Sequence, residues 1–330
     1  MNSKVYDFFN GKRLLITGGN GYIATNLVLV LKNYDCEIIL INRRSSPLDL
    51  YSNCKANITE IIRDITEVKN WHELLIGIDF IFYFAAQTSI YKANENPTTD
   101  FKINVEPIFN LLETCRTKSI KPGIIFSSTV TVSDISNQLP ISENDIDKPI
   151  SFYDFHKIIA EQYLKFYGNN GYVNSVSLRL SNVYGPGLNS KNIDRGILNL
   201  MVRKALDGED ITLYGDGLFL RDYIFINDVT NAFLLSAINI EKLNGKHFIV
   251  GTGKGHTIKD AFQIIRDSVE NITGKIVKVI SVPFPINISP VELRNFVADN
   301  SKLKKLTNWN PITNLRDGIE LTINYYKNLV

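Results

Sequence analysis

Short, mostly apolar runs recur through the first 180 residues, with helix-length stretches between them. The runs are Arg13–Thr17 (RLLIT), Glu37–Ile41 (EIILI), Ile58–Ile62, Phe80–Ala86 (FIFYFAA), Ile124–Ser128 (IIFSS) and Ser175–Leu180. A strand that faces water on one side alternates apolar and polar residues. A strand apolar on both faces is buried on both, as parallel strands are when helices cover the two sides of their sheet. Helical patterns fill the gaps: after Thr17 to about Lys32, near Val68–Leu75, over Thr98–Cys115 and over Tyr153–Tyr167. This alternation predicts an α/β fold with a doubly wound parallel sheet. After about Asn182 the texture changes. Gly and Pro punctuate the chain (YGPG, YGDG, GTGKG, PFPINISP) and strand patterns become sparse. The expected division is 1–182 for the sheet domain, with 222–252 returning to it. Residues 183–221 and 253–330 then form a smaller C-terminal α/β domain over the sheet's carboxyl edge.

Charge excludes one class of partner. The chain has 36 basic and 34 acidic residues, a formal net charge of +2, so no broad field for nucleic acid is expected. Cys36, Cys54 and Cys115 are far apart and form no CxxC pair, so neither a metal site nor a disulfide framework is expected. The N-terminal stretch lacks an apolar targeting core, and no apolar run reaches the length of a membrane span. A reducing, cytoplasmic setting without a membrane partner is the default reading.

Residues 17–24 read Thr-Gly-Gly-Asn-Gly-Tyr-Ile-Ala between a predicted strand and a predicted helix. Gly18 and Gly21 permit a tight turn and a close approach of backbone to a pyrophosphate. The charge of that group would sit at the helix start formed by Tyr22 and Ile23. This is the pattern of a Rossmann-like dinucleotide site. An acid at the end of the second strand would bind the adenosine ribose of NAD. Here stand Asn42, Arg43 and Arg44, followed by two serines. Two guanidiniums suit a 2′-phosphate, so the turn leans to NADP. A solvated basic turn, with Asn42 bonding the ribose of NAD, is the alternative. Asp64 and Ile65 after the third strand are placed to flank adenine. Ala85, Ala86 and Gln87 after the fourth are placed on the nicotinamide side.

Tyr153 and Lys157 are four residues apart, which on a helix puts both on one face. A tyrosine is a poor base at its ordinary pKa near 10. A neighbouring ammonium and a positive nicotinamide favour the phenolate. Ser128 and Thr129 end the fifth strand, with Thr129 24 residues before Tyr153. Hydroxyls there can meet a substrate at the sheet's carboxyl edge. Glycine loop, strand-end hydroxyl and Tyr/Lys helix follow one another in the order of a hydride-transfer site.

These motifs resemble the extended short-chain dehydrogenase/reductases, in the epimerase/dehydratase branch that acts on nucleotide sugars. The resemblance also rests on Asn104-Val105, on Asn182-Val183-Tyr184-Gly185-Pro186-Gly187 and on Tyr214-Gly215-Asp216-Gly217 with Arg221-Asp222-Tyr223 and Asp228-Val229. It ends with Asp299–Leu303 and Asn308–Pro311. It implies Thr129, Tyr153 and Lys157 as the catalytic set, with Ser128 beside them. Asn182 and Arg221, with Arg294 as a further candidate, would hold the diphosphate of a nucleotide sugar. It also implies a homodimer built on the helices at Thr98–Cys115 and Tyr153–Tyr167. Dehydratases of the family carry an acid pair beside the catalytic threonine. Val130-Thr131-Val132 offers none, which disfavours 4,6-dehydration. The reading that remains is epimerisation through a 4-keto sugar. A net 4-dehydrogenase or 4-keto reductase is the alternative, and a cofactor-binding relative without turnover is a third. Phe155 and His156 stand where the family has small residues, and His156 is expected on the outer face of its helix. The loops Leu188–Asp194 and Phe284–Arg294 are expected to shape the sugar pocket.

Overall fold

The computed structural model describes residues 3–47, 51–133, 138–187, 196–286 and 288–328. The predicted sugar loop Leu188–Asp194 lies outside the described residues, as does Asn287 in the second loop.

Seven parallel strands form the main sheet. They are β1 (Arg13–Thr17), β2 (Glu37–Asn42), β3 (Asn57–Ile62), β4 (Phe80–Tyr83), β5 (Gly123–Thr129), β6 (Asn174–Leu180) and, from late in the chain, β10 (Lys246–Val250). Their order is β10-β6-β5-β4-β1-β2-β3, so the winding reverses between β1 and β4. In such sheets the crevice beyond the carboxyl ends, at that reversal, is where ligands bind. Between β6 and β10 the chain lays down β7 (Asn182–Tyr184), β8 (Ile211–Tyr214) and β9 (Leu220–Phe225). β11 (Gly255–Thr257) and β12 (Val279–Val282) follow. These make a three-stranded sheet, β11-β9-β7, and a two-stranded one, β12-β8. The strand patterns read as sparse after Asn182 are therefore short strands. They have only three to six residues each, too few to show a period.

Helices α1 (Tyr22–Leu31), α2 (Trp71–Leu75), α3 (Ile90–Glu95), α4 (Pro97–Asn104), α5 (Glu106–Lys118) and α6 (Phe152–Asn169) accompany the first six strands. α7 (Ile197–Leu206), α8 (Ile226–Ile238), α9 (Ile240–Leu243), α10 (Ile258–Thr273), α11 (Ser301–Thr307) and α12 (Leu315–Lys327) follow. One face of the sheet packs Leu14, Ile16 and Leu40 against Leu27 and Val28 of α1 and Phe233 of α8. The other packs Leu15, Ile81 and Phe126 against Leu111 of α5 and Leu164 of α6. A third core, with Met201, Phe225, Ile265 and Ile319, belongs to the smaller lobe. The stretch Thr98–Cys115 is two helices rather than one. Pro107 has no N–H to continue the ladder but is tolerated in the first turn of a new helix, so α5 restarts at Glu106.

Candidate active site

The glycine loop is a cradle that only glycine fits. Gly18 has φ +67°, and a Cβ there would lie 3.0 Å from the backbone N and Cα of Ala85. α1 begins at Gly21 without any side-chain cap, so its first turn keeps N–H groups to offer an anion. These observations fit a dinucleotide pyrophosphate. The side chains of Tyr22 and Ile23 do something else. Tyr22 donates its hydroxyl to the carbonyl of Gly185 at 2.9 Å, and Ile23 packs between the main core and that of the smaller lobe. Only their backbone N–H groups are left for a cofactor.

At the end of β2, Asn42 is buried and its amide is committed. Its Oδ1 accepts from Asn20 N and its Nδ2 donates to Glu60 Oε1, both at 2.9 Å. Arg43 and Arg44 are exposed. Asp64 caps the short helix Ile65–Glu67 by accepting from Thr66 N at 2.9 Å, and Ile65 is buried. On the nicotinamide side, Ala85 N donates to Thr17 Oγ1 at 3.1 Å and Ala86 follows it in the same loop. Gln87 is clamped by Asn104, whose Oδ1 accepts from Gln87 N and whose Nδ2 donates to Gln87 O, both at 3.0 Å. Asp100 Oδ1 accepts from Gln87 Nε2 at 2.7 Å, and its Oδ2 lies 2.6 Å from His156 Nδ1. His156 is thus buried against α4, not on the outer face of α6. α6 is enclosed by both α4 and the sheet, so its buried arc is wider than one stripe.

Thr129 ends β5, Tyr153 and Lys157 lie in the first two turns of α6, and all three are buried. Lys157 Nζ donates to Ser127 O at 2.8 Å and lies 4.4 Å from the Phe126 ring centroid, which fixes the ammonium under the strand end. Ser128 Oγ is buried with no partner among the described residues, an acceptor and donor left over for a ligand.

One acid at the site was not expected from the sequence. Asp154 is fully buried. Its Oδ2 accepts from Ser151 Oγ at 2.7 Å and its Oδ1 accepts from Thr131 Oγ1. Thr131 Oγ1 is 2.8 Å from Thr129 Oγ1. With the Thr131 proton spent on the carboxylate, Thr129 must donate to Thr131. Its remaining lone pair is then left to accept from a substrate hydroxyl. Burial raises the Asp154 pKa, while the hydroxyls of Thr131 and Ser151 and the Arg294 charge pull it down. So Val130-Thr131-Val132 holds no acid itself, but a carboxyl stands one hydroxyl away. An acid one place after Tyr153 was the available signal.

Two arginines close the far side. Arg221 is buried, and its guanidinium donates to the carbonyls of Leu220 at 3.0 Å, Glu292 at 2.7 Å and Arg294. Arg294 is also buried, and its Nε has no partner among the described residues. Burial and then the Arg221 charge push its pKa down to about 10, so it remains a cation at neutral pH. The Oδ1 of Asn182 on β7 is likewise buried without a partner among the described residues. Two adjacent buried cations, near the charges of Asp154 and Glu292, suit a further anion, whereas the Asn182 oxygen needs a donor.

The chain is similar to known proteins along nearly its full length. It is 30% identical to the putative UDP-glucose 4-epimerase of Methanocaldococcus jannaschii over 96% of this chain and 98% of that one. Its fold matches the UDP-glucose 4-epimerase of Thermotoga maritima, solved with UDP-glucose. The TM-score is 0.82 at 27% identity, covering 96% of this chain and 99% of that one. It also matches the UDP-glucose 4-epimerase of Thermus thermophilus in complex with NAD. There the TM-score is 0.80 at 26% identity, covering 96% and 100% of the two chains. Residues 14–251 match the model of the NAD dependent epimerase/dehydratase family, and the chain belongs to that family.

Proposed function

We propose that this protein is a nucleotide-sugar 4-epimerase that works on a UDP-sugar with a retained NAD. The observation that carries this reading is the Lys157 ammonium bonded to Ser127 O near the end of β5, with Thr129 ending that strand and Tyr153 one turn before Lys157 on α6, all three buried. The nucleotide and the cofactor are drawn from what the relatives are named for and solved with. The glycine loop and the first turn of α1 hold the pyrophosphate of the dinucleotide, and Gln87 with Ala85 and Ala86 borders its nicotinamide. Asp64 and Ile65 flank its adenine. The lean to NADP drawn from Arg43 and Arg44 gives way to NAD, because the Thermus thermophilus relative is solved with NAD.

Arg221, Arg294 and Asn182 grip the diphosphate of the substrate, and Ser128 holds its sugar. Tyr153, as phenolate beside the Lys157 ammonium, takes the proton of the reacting sugar hydroxyl, while Thr129 accepts a hydrogen bond from a neighbouring hydroxyl of the sugar. Bound NAD supplies the site that takes up the hydride from the sugar carbon and returns it. The 4-keto sugar turns over between the two transfers, and Tyr153 returns the proton to the newly formed hydroxyl. A second copy of the chain covers the α4–α6 surface, where the aromatic rings of Phe101, Phe155 and Phe166 stand exposed.

The test has two parts. Denaturing the purified protein should release NAD(H) near one per chain, read by mass spectrometry. UDP-glucose and UDP-galactose should interconvert, and Tyr153→Phe should cut turnover by about two to four orders of magnitude with the dinucleotide still bound. A Tyr153→Phe protein of full activity would overturn the assignment.

A further inference from the structure

The turn after β2 contains an anion site that is already filled. Asn42 Oδ1 accepts from Asn20 N, which fixes the orientation of the amide and aims its NH₂ at Glu60 Oε1, 2.9 Å away. Ser46 N lies 3.2 Å from both Oε1 and Oε2 of Glu60, and the Ser46 hydroxyl bonds the same carboxylate. The Ser46 hydroxyl also lies 2.5 Å from Asn20 Oδ1, and Asn20 Nδ2 donates to Arg44 O at 2.6 Å. An amide NH₂, a backbone N–H and a hydroxyl thus converge on one carboxylate, at the place where a phosphate on a ribose 2′-oxygen would look for donors.

Glu60 reaches this place because of strand register. β3 pairs with β2 so that Glu60 stands opposite Leu40 and Ile62 opposite Asn42. Side chains two residues apart share a face of a strand, so Glu60 comes up on the face that carries Leu40 and Asn42. That is the face covered by α1. The position where a dinucleotide fold of this type keeps its ribose-binding acid holds the neutral Asn42, and a neighbouring strand delivers the negative charge instead. An acid at both positions would set two carboxylates against each other; an asparagine turns that contact into a hydrogen bond.

We propose that Glu60 is the residue that makes this site select NAD over NADP. Its carboxylate occupies the donors that a 2′-phosphate needs and repels the phosphate's charge, which outweighs the attraction of Arg43 and Arg44. This rests on the reading that the glycine loop binds a nicotinamide dinucleotide.

The experiment is calorimetric titration of apoprotein with NAD⁺ and with NADP⁺, which needs no sugar substrate. The wild type should bind NAD⁺ at least tenfold more tightly than NADP⁺. Glu60→Gln should narrow that ratio at least tenfold, chiefly by gaining NADP⁺ affinity. Adding Arg43→Ala and Arg44→Ala to Glu60→Gln should then cost NADP⁺ affinity that the same pair does not cost in the wild type. A second measurement avoids any variant: 2′-phosphorylated adenosine diphosphate should compete with NAD⁺ at least tenfold more weakly than ADP. A wild type that binds NADP⁺ as tightly as NAD⁺, or a Glu60→Gln protein with an unchanged ratio, overturns the role of Glu60 and leaves the dinucleotide reading standing. A wild type that binds neither dinucleotide overturns both.

Discussion

Two pairs of arginines stand in the two halves of this site, and residue type is almost all they share. Arg43 and Arg44 follow β2 on an exposed turn, where a guanidinium keeps its hydration and loses little. Arg221 and Arg294 are 5% and 6% exposed; burial lowers the pKa of both, and the Arg221 charge lowers that of Arg294 further. Burying two like charges together is unfavourable unless an anion compensates them, and their neighbours supply mostly carbonyl oxygens. Environment, not residue type, marks which cations are built for a ligand. The basic residues conspicuous in the sequence lie where solvent already satisfies them, whereas the buried pair has given up that hydration for carbonyl oxygens and the charges of Asp154 and Glu292.

The largest effect should come from the buried pair. Arg294→Gln removes a charge-assisted contact of about 1.5–3 kcal/mol, so UDP affinity should fall about 10–100-fold by calorimetry while NAD affinity holds. An equal loss of both affinities would mean that Arg294 serves the fold and not the diphosphate.

A smaller effect is expected from Asp154, which feels the Arg294 charge and is linked through Thr131 to Thr129. When Asp154 is ionised, Thr129 is left as an acceptor for a sugar hydroxyl beside the one that reacts. When it is protonated, the hydroxyl chain can reverse and Thr129 turns its proton outward. Because burial raises this pKa, the wild-type rate should fall as pH drops through the raised value. Asp154→Asn should be slower by about tenfold, of the order expected for one misdirected hydrogen bond, and should lack that acid limb. A pH profile of kcat identical in both proteins would reduce Asp154 to a packing role.

The smallest effect belongs to the exposed pair. Arg43→Ala with Arg44→Ala should change NAD affinity by no more than about twofold, within the ±0.5 kcal/mol typical of surface substitutions. A tenfold loss would erase the contrast between the two pairs.

Much of the frame was legible because each part is local. The six strand runs through Ser175–Leu180 reappear as β1–β6 with shifts of only a few residues, since strands inside the sheet are buried on both faces and read as mostly apolar runs, while β3 at the edge is only partly buried. Tyr153 and Lys157 declared themselves by one turn of helix. What stayed hidden depends on partners brought together by topology. Glu60 meets Asn42 across 18 residues through strand register, and Asp100 meets His156 across 56 through helix packing. An acid inside the run Ile58–Ile62 was the only local sign of the first. The family motif Arg221-Asp222-Tyr223 shows the same limit in another way. Asp222 is fully buried and holds the backbone of Thr252, Gly253 and Ala298, so it pins the smaller lobe to the sheet domain.

The hydroxyl of Tyr22 and the amide of Asn26, both in the first two turns of α1, are bonded to the carbonyls of Gly185 and Pro186. The stretch that follows β7 is therefore fastened to the very turn proposed to grip the dinucleotide. Any shift of that stretch would be felt at the cofactor's anchor. For a catalyst that must hand a hydride back to the molecule it came from, such fastening guards against a particular death. If the keto sugar escaped first, the protein would be left reduced, with no partner to restore it and no way to begin again.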